Sequence, residues 1–337
     1  MKLLVCGGAG FIGSNFIRHI LGKHVDWFVV NFDKLTYAGN LENLRDFEDD
    51  PRYSFIKGDI ADEAAVFSAV EQLRPDAIVN FAAETHVDRS IHGSLRDFVF
   101  GNVMGPQVLC EATKKRNVPL FIQISTDEVY GTLGLDDEKK FTEETAFAPN
   151  MPYAACKAGG DMVCRSYYQT FRTPVIVTHC SNNYGPYQFP EKFIPQTIFK
   201  AVKDDVVPIY GDGLHVRDWI HVADHCSAIE LLLAKGAPGE VYNIGADNER
   251  SNLEVFSLLK NILSKEIKAM NVADRPGHDR RYAIDASKIM KLGWSPLYPR
   301  EKFEQGLRET VDWYLKNDAW VSLLAARKNE LNPHIII

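Results

Sequence analysis

Cysteine is sparse and scattered in this chain: six residues, at positions 6, 110, 156, 164, 180 and 226, with no C-x-x-C pair. That spacing speaks against a disulfide frame or a cysteine-built zinc site and for reduced, buried thiols, so no metal and a cytoplasmic setting are expected. Basic runs are missing too. With a net charge of -7 the chain offers no patch for nucleic acid. No apolar stretch nears the roughly 20 residues that span a bilayer, so no membrane partner is expected. No signal-peptide pattern is present, because Met1 to Cys6 runs straight into a glycine loop and reads as a strand. Internal repeats and low-complexity linkers are absent, so domain boundaries must be interleaved. What remains is 337 residues of ordinary globular composition, enough for a large core and more than one minimal domain.

Short apolar runs alternate with helical patterns through the first half. Strands are expected at 2–6, 27–32, 53–57, 77–82, from Phe121, at 175–180 and at 241–244. Helices are expected at 14–21, 63–73, 94–115, from Pro152, and at 223–234, 252–263 and 303–315. This order implies an α/β fold, a Rossmann-type doubly wound parallel sheet with a smaller, mixed α/β C-terminal domain. The larger domain is assigned to 1–185, joined by about 218–245, and the smaller one to the rest of 186–337. The tail from Asn329 to Ile337 reads as an edge strand or a frayed end.

Between the first strand and helix lies Gly7-Gly8-Ala9-Gly10-Phe11-Ile12-Gly13. A pyrophosphate needs such a backbone, which turns sharply and leaves its amides open at a helix N-terminus. The second strand is followed by Asp33, 20 residues past Gly13, where a carboxylate can bond ribose hydroxyls and would repel a 2′-phosphate. The cofactor is therefore read as NAD. Lys34 to Asn43 is taken as a loop beyond the adenosine. Asp59 either caps the next helix or reaches the adenine. Small residues at Ala82 and Ala83 would let the cofactor lie close to the backbone; nearby His86 is read as structural.

The chemistry is concentrated after the strand that begins at Phe121. Ser125-Thr126-Asp127-Glu128 puts hydroxyls and two adjacent carboxyls where ligands bind in open α/β sheets. Tyr153 and Lys157, four apart, share a helix face. The plain structural alternative is a solvated acidic loop and a surface Tyr/Lys pair.

These motifs resemble the extended short-chain dehydrogenase/reductases, in their nucleotide-sugar dehydratase branch. The resemblance rests on GGAGFIGS (7–14), DKLTYAGN (33–40), AAETHVDRSI (82–91), STDEVYG (125–131), YAACK (153–157), SNNYGPYQFPEKFIP (181–195), PIYGDG with VRDWIHV (208–222), and RPGHDRRYAID (275–285). The Asp-Glu pair is its most specific part. The family usually has serine at Cys156, Ala-Ser-like residues at Gly159-Gly160, threonine at Gly101 and arginine at His179.

The resemblance implies a lyase that removes water from a nucleotide-linked glucose, dTDP-glucose first, to give a 4-keto-6-deoxy sugar. Tyr153 would take the C4 hydroxyl proton, its phenol lowered by Lys157 and the nicotinamide and its oxygen partner bonded by Thr126. Glu128 would remove the C5 proton and Asp127 protonate the leaving C6 hydroxyl. NAD would be held by Gly7, Gly10, Phe11, Ile12, Gly13, Asp33, Lys34, Thr36, Asp59, Ile60, Ala82, Ala83, Tyr153 and Lys157. The nucleotide sugar would meet Thr85, Asn182, Lys192, Tyr210, Arg217, Asn252, Arg275, His278 and Tyr282. Alternatives are a UDP-sugar 4,6- or 5,6-dehydratase, a 4-epimerase that would not need the acid pair, and a non-catalytic NAD binder. Relatives dimerise through a four-helix bundle, and 95–112 with 159–171 are the segments for it here.

Overall fold

The computed structural model describes residues 1–331, and side chains through Leu324. Among the described residues twelve strands run along the chain. The first six are β1 (Lys2–Cys6), β2 (Phe28–Asp33), β3 (Tyr53–Lys57), β4 (Ala77–Asn80), β5 (Phe121–Thr126) and β6 (Val175–Cys180). Then come β7 (Asn182–Tyr184), β8 (Val207–Tyr210), β9 (Val216–His221), β10 (Val241–Ile244), β11 (Glu249–Ser251) and β12 (Ala269–Val272). Seven of them form one sheet in the order β10-β6-β5-β4-β1-β2-β3. Every pairing in it is parallel. The apolar runs belong here because parallel strands are covered on both faces.

The helices are α1 (Phe11–Lys23), α2 (Glu63–Leu73), α3 (Val87–His92), α4 (Arg96–Val99), α5 (Gly105–Arg116), α6 (Pro152–Phe171), α7 (Phe193–Val202), α8 (Val222–Lys235), α9 (Asn252–Leu263), α10 (Ser287–Met290), α11 (Phe303–Lys316) and α12 (Asp318–Leu331). One face of the large sheet buries Phe16, Ile17 and Ile20 of α1 with Ile229 and Leu232 of α8. The other buries Val66 and Val70 of α2, Leu109 of α5 and Cys164 of α6. A third core joins α7, α9 and α11 through Ile198, Leu259 and Leu307.

The chain crosses between these bodies more than once. β7 pairs with β9, and β9 with β11, in a three-stranded sheet; β8 and β12 pair separately. Ala286, Ile289 and Trp294 return to the core of the large sheet.

Several expectations change at the boundaries. α1 starts at Phe11, not Ser14, because Gly10 is the extended N-cap and Ser14 N already donates to Gly10 O. The stretch expected as one helix over 94–115 is α4, a π turn (Phe100–Met104) and α5. The Lys34–Asn43 loop ends in a 3₁₀ turn at Leu41–Phe47. α2 is capped by Asp62, which accepts from Ala65 N, so Asp59 is not its cap. Residues 329–331 close α12, so no edge strand starts at Asn329; the rest of the tail expectation falls on residues 332–337, outside the described part.

Candidate active site

The strand ends β1, β2 and β4 open onto a cavity of about 330 Å³ lined by Gly7, Gly10, Asp33, Lys34, Thr36, Asp59, Ile60, Ala82 and Ala83. It fits a dinucleotide on two observations. Gly7 has φ +74, and a Cβ there would come within 2.6 Å of the Ala82 Cα, so only glycine lets loop and strand end meet. The first amides of α1 have no acceptor within the helix, which leaves Phe11, Ile12 and Gly13 as an anion-facing N-terminus. Gly13 itself lines neither cavity; a Cβ there would strike the Gly7 carbonyl, so its role is to let α1 back onto the loop. Asp33 is almost wholly buried, and its carboxylate accepts from Ala9 N (2.9 Å) and Leu35 N (2.7 Å), bracing the glycine loop while facing the cavity. Lys34 reaches Asp59 at 2.7 Å.

Phe81 and Ala83 line both this cavity and a second of about 360 Å³. The second holds Phe11, Ile12, Thr126, Asp127, Glu128, Tyr153 and Lys157. All nine residues expected at the nucleotide sugar line it as well: Thr85, Asn182, Lys192, Tyr210, Arg217, Asn252, Arg275, His278 and Tyr282. Residues from eight separate stretches of sequence thus meet where β5, β6 and the smaller body converge.

Burial sets the electrostatics of this cavity. It pushes the Asp127 carboxyl well above the usual carboxylate range, and the neighbouring Glu128 and Asp218 add to that. Glu128 is also raised by burial, against the pull of Arg217 and Lys192. Asp127 Oδ2 and Glu128 Oε2 are both buried without a hydrogen-bond partner among the described residues. Behind the pair, buried Asp218 is pushed up to about 7 by burial.

Tyr153 departs from expectation. Its phenol is raised well above the ordinary value, by burial first and Glu128 second. Lys157 is itself lowered by burial, and its Nζ donates to Ile124 O at 2.6 Å. The groups of this chain therefore hold the phenol protonated; they do not lower it. Thr126 is also engaged: its Oγ1 accepts from Glu128 N at 3.3 Å and caps the turn Asp127–Tyr130.

Three cations differ in availability. Arg275 is paired with Asp88, Nη2 to Oδ2 at 2.9 Å, and lies over the Tyr210 ring. Arg217 lies over the Tyr282 ring and, among the described residues, donates only to the carbonyls of Val216 and Asp279. Lys192 Nζ donates to Thr85 O at 3.1 Å.

Sequence reasoning missed the layer beneath. Asp161 Oδ2 accepts from Ser125 Oγ at 2.6 Å and lies 3.2 Å from His179 Nε2. His179 Nδ1 is 2.6 Å from the Tyr130 hydroxyl, which also donates to Asn243 Oδ1. The signal available was the spacing: Asp161 is four residues past Lys157, on the same face of α6. Glu191 was also missed; it accepts from the Tyr37 hydroxyl and sits 3.3 Å from His86 Nε2. His86 is a cap as well as a cavity wall, its Nδ1 accepting from Arg89 N at 3.4 Å.

Comparison with known proteins places this geometry in a family. The GDP-mannose 4,6 dehydratase family matches residues 4–310. The dTDP-glucose 4,6-dehydratase of Xanthomonas campestris pv. campestris (strain B100) is 49% identical, the match covering 94% of each chain. The chain belongs to the nucleotide-sugar dehydratases of the short-chain dehydrogenase/reductase type. Two solved dehydratases of this kind superpose closely. That of Bacillus anthracis, in complex with NAD, is 48% identical with a TM-score of 0.89, over 96% of this chain and 99% of that one. That of Streptomyces venezuelae, with NAD and a dTDP ligand bound, is 44% identical with a TM-score of 0.91, over 96% and 100%. Membership accounts for the dehydratase-type acid pair and for a large sheet carrying a smaller C-terminal body.

Proposed function

We propose that this dehydratase-family chain converts dTDP-glucose to dTDP-4-keto-6-deoxyglucose, with NAD as a cofactor regenerated in each turnover. The observation that carries the reading is the acid pair. Asp127 and Glu128 are buried side by side in the cavity that also holds Tyr153 and Lys157, and each has an oxygen with no partner. An epimerase would have no use for two such acids.

The roles follow from charge and position. The glycine loop, Asp33 and the Ala82–Ala83 backbone would hold NAD, which when bound would supply the hydride acceptor and donor and a positively charged ring. Tyr153 takes the C4 hydroxyl proton; its high phenol needs that positive ring nearby, with Lys157 fixing the helix face. The ketone at C4 then acidifies the C5 hydrogen. Glu128, the less strongly raised acid, removes it. Asp127, held protonated by burial and by its neighbour, gives its proton to the departing C6 hydroxyl. Arg217, with no carboxylate partner among the described residues, is the first candidate for the diphosphate.

The NAD-binding unit is taken as 1–185 with 218–245 and the nucleotide-sugar unit as the rest of 186–337, with β7 given to the smaller sheet and 286–294 returned to the larger core. A homodimer is proposed through the outer faces of α4, the π turn and α6. Leu95, Val99, Phe100, Met104 and Met162 are each at least 40% exposed there, more apolar surface than a solvated helix pair needs. Sedimentation should give a dimer, and V99E with M104E a monomer. All six cysteines are buried and free, in keeping with a cytoplasmic protein. No helix among the described residues is long and apolar enough to cross a membrane.

The deciding experiment incubates purified protein with dTDP-glucose and, separately, UDP-glucose, without added reductant, and follows loss of one water by mass spectrometry. Loss is expected with dTDP-glucose at the lower concentration. Preference for UDP-glucose would move the substrate, and no loss from either would end the dehydratase reading.

A further inference from the structure

Ser125 of β5, His179 of β6 and Asn243 of β10 are register partners across three neighbouring strands, so their side chains stand in one row on one face of the large sheet. α6 covers that face and brings Asp161, four residues past Lys157, onto the row. All four residues are almost wholly buried. We propose that Asp161 and His179 are positioning residues for the loss of water. As one hydrogen-bonded pair they clamp the turn that carries Asp127 and Glu128 at both of its ends. This rests on the dehydratase reading and adds to it how the acids are aimed.

The clamp follows from where the bonds go. Before the turn, Ser125 Oγ donates to Asp161 Oδ2 at 2.6 Å; the next residue, Thr126, is the cap of the turn. At its far end, the Tyr130 hydroxyl lies 2.6 Å from His179 Nδ1. His179 Nε2 and Asp161 Oδ2, 3.2 Å apart, close the circuit around residues 126–129. The bonds have fixed directions. Asn243 Nδ2 donates to Phe141 O at 3.1 Å, which turns Asn243 Oδ1 toward Tyr130. The Tyr130 hydroxyl gives its proton to that oxygen at 2.8 Å, and burial, which raises the phenol, keeps it a donor. The Tyr130 oxygen is therefore left to accept from His179 Nδ1–H. His179 Nε2 then faces Asp161 Oδ2, and the bond between them needs one proton held by the pair.

The acids need such support because little holds them directly. Asp127 Oδ2 and Glu128 Oε2 have no partner among the described residues, so the backbone of the turn sets their aim, and its two ends set the backbone. The imidazole in the middle is itself held edge-on, by the Tyr130 ring at 4.9 Å and the Phe147 ring at 5.4 Å between centroids. Asp161 and Lys157 belong to the same helix, so the clamp also fixes the acids relative to the groups that serve C4. A misplacement of about 1 Å can cost roughly a hundredfold in rate. The clamp therefore bears on the elimination, whose two acids sit on the turn, more than on the C4 step, whose Tyr153 and Lys157 sit on α6.

The test uses the full chain with NAD and dTDP-glucose in single turnover. Stopped-flow absorbance reads nicotinamide reduction, and quenched samples read water loss by mass spectrometry. Y130F removes one hydroxyl from the far end of the turn, and H179Q breaks the pair in the middle. Each should slow water loss by about tenfold to a hundredfold, while nicotinamide reduction slows far less and KM stays close to wild type. The double variant should be no slower than H179Q, because both changes act through one bond. Melting curves confirm that each variant is folded, and Y130F alone decides the matter if H179Q is not. Unchanged water loss in folded Y130F, or equal slowing of both steps, overturns the clamp while wild-type turnover keeps the dehydratase reading. No water loss from wild type would end that reading and the clamp with it.

Discussion

Two carboxyl groups in adjacent positions, both out of water, cannot both ionise cheaply, and here the environment separates them. Beyond burial, Asp127 is raised by Glu128 and Asp218 against Arg217, while Glu128 is raised by Asp279 against Arg217, Lys192 and Arg275. The proton therefore stays on Asp127 at pH values where Glu128 has lost its own, which is the division an elimination needs. The expected pH profile is bell-shaped. Activity falls as pH drops and the base of the pair takes up a proton, and falls again as pH rises and the acid of the pair loses its own. D127N and E128Q should each reduce water loss by about 10²–10⁴-fold. Stopped-flow absorbance should still record reduced nicotinamide in both, because neither acid serves the C4 hydroxyl. If either variant also abolished that signal, the acid in question would be acting at the first step.

At the scale of elements, the π turn at Phe100–Met104 has a defined job. It aims Asn102 at the segment after β4, where its amide accepts from Glu84 N and donates to Glu84 O, both at 2.9 Å. That segment carries Ala82 and Ala83, so the turn indirectly shapes the wall shared by both cavities. Opposite it, Gly160 of α6 lies against the Asn102 carbonyl, where a Cβ would collide. G160A should therefore cost about 1–3 kcal/mol in a urea melt, whereas an alanine that was accommodated freely would show that α6 can slide. The glycine pair at 159–160 is thus a packing device. The strands of the large sheet were legible because a doubly covered parallel strand is simply an apolar run between punctuating residues. The cavity was legible for the same topological reason: strand ends in such a sheet face one edge. The π turn was not, because helical periodicity over 94–115 continues through it. The Asp62 cap was missed because two acids three apart compete for one helix start. The surroundings of Tyr153 were legible only in part, because spacing shows that Lys157 shares its face, while burial and the Ile124 carbonyl decide what Lys157 does.

At the scale of the molecule, the interleaved chain must be fastened where its late segments return to its early ones. α8 comes from beyond the smaller sheet, yet packs on the large sheet beside α1. Glu230 of α8 is the polar fastener: its carboxylate lies 2.7 Å from His19 Nε2, Lys23 Nζ and His24 Nε2, all on or at the end of α1. Lys23, His19 and His24 hold its carboxyl down to about 2 against the opposing effect of burial, which is the largest single influence on it. A carboxyl lowered on folding stabilises the native state above its ordinary value of about 4.3 and loses that contribution as pH falls toward the folded value. E230Q should thus be less stable than wild type at pH 7, by about 1 kcal/mol, a modest figure because Lys23 is exposed and salt screens it. Denaturant melts of the two proteins should converge as pH is lowered from about 4.5 toward 2, and the pH 7 gap should narrow in high salt. A gap that stayed constant across that range would mean that Glu230 holds α8 by packing and not by charge.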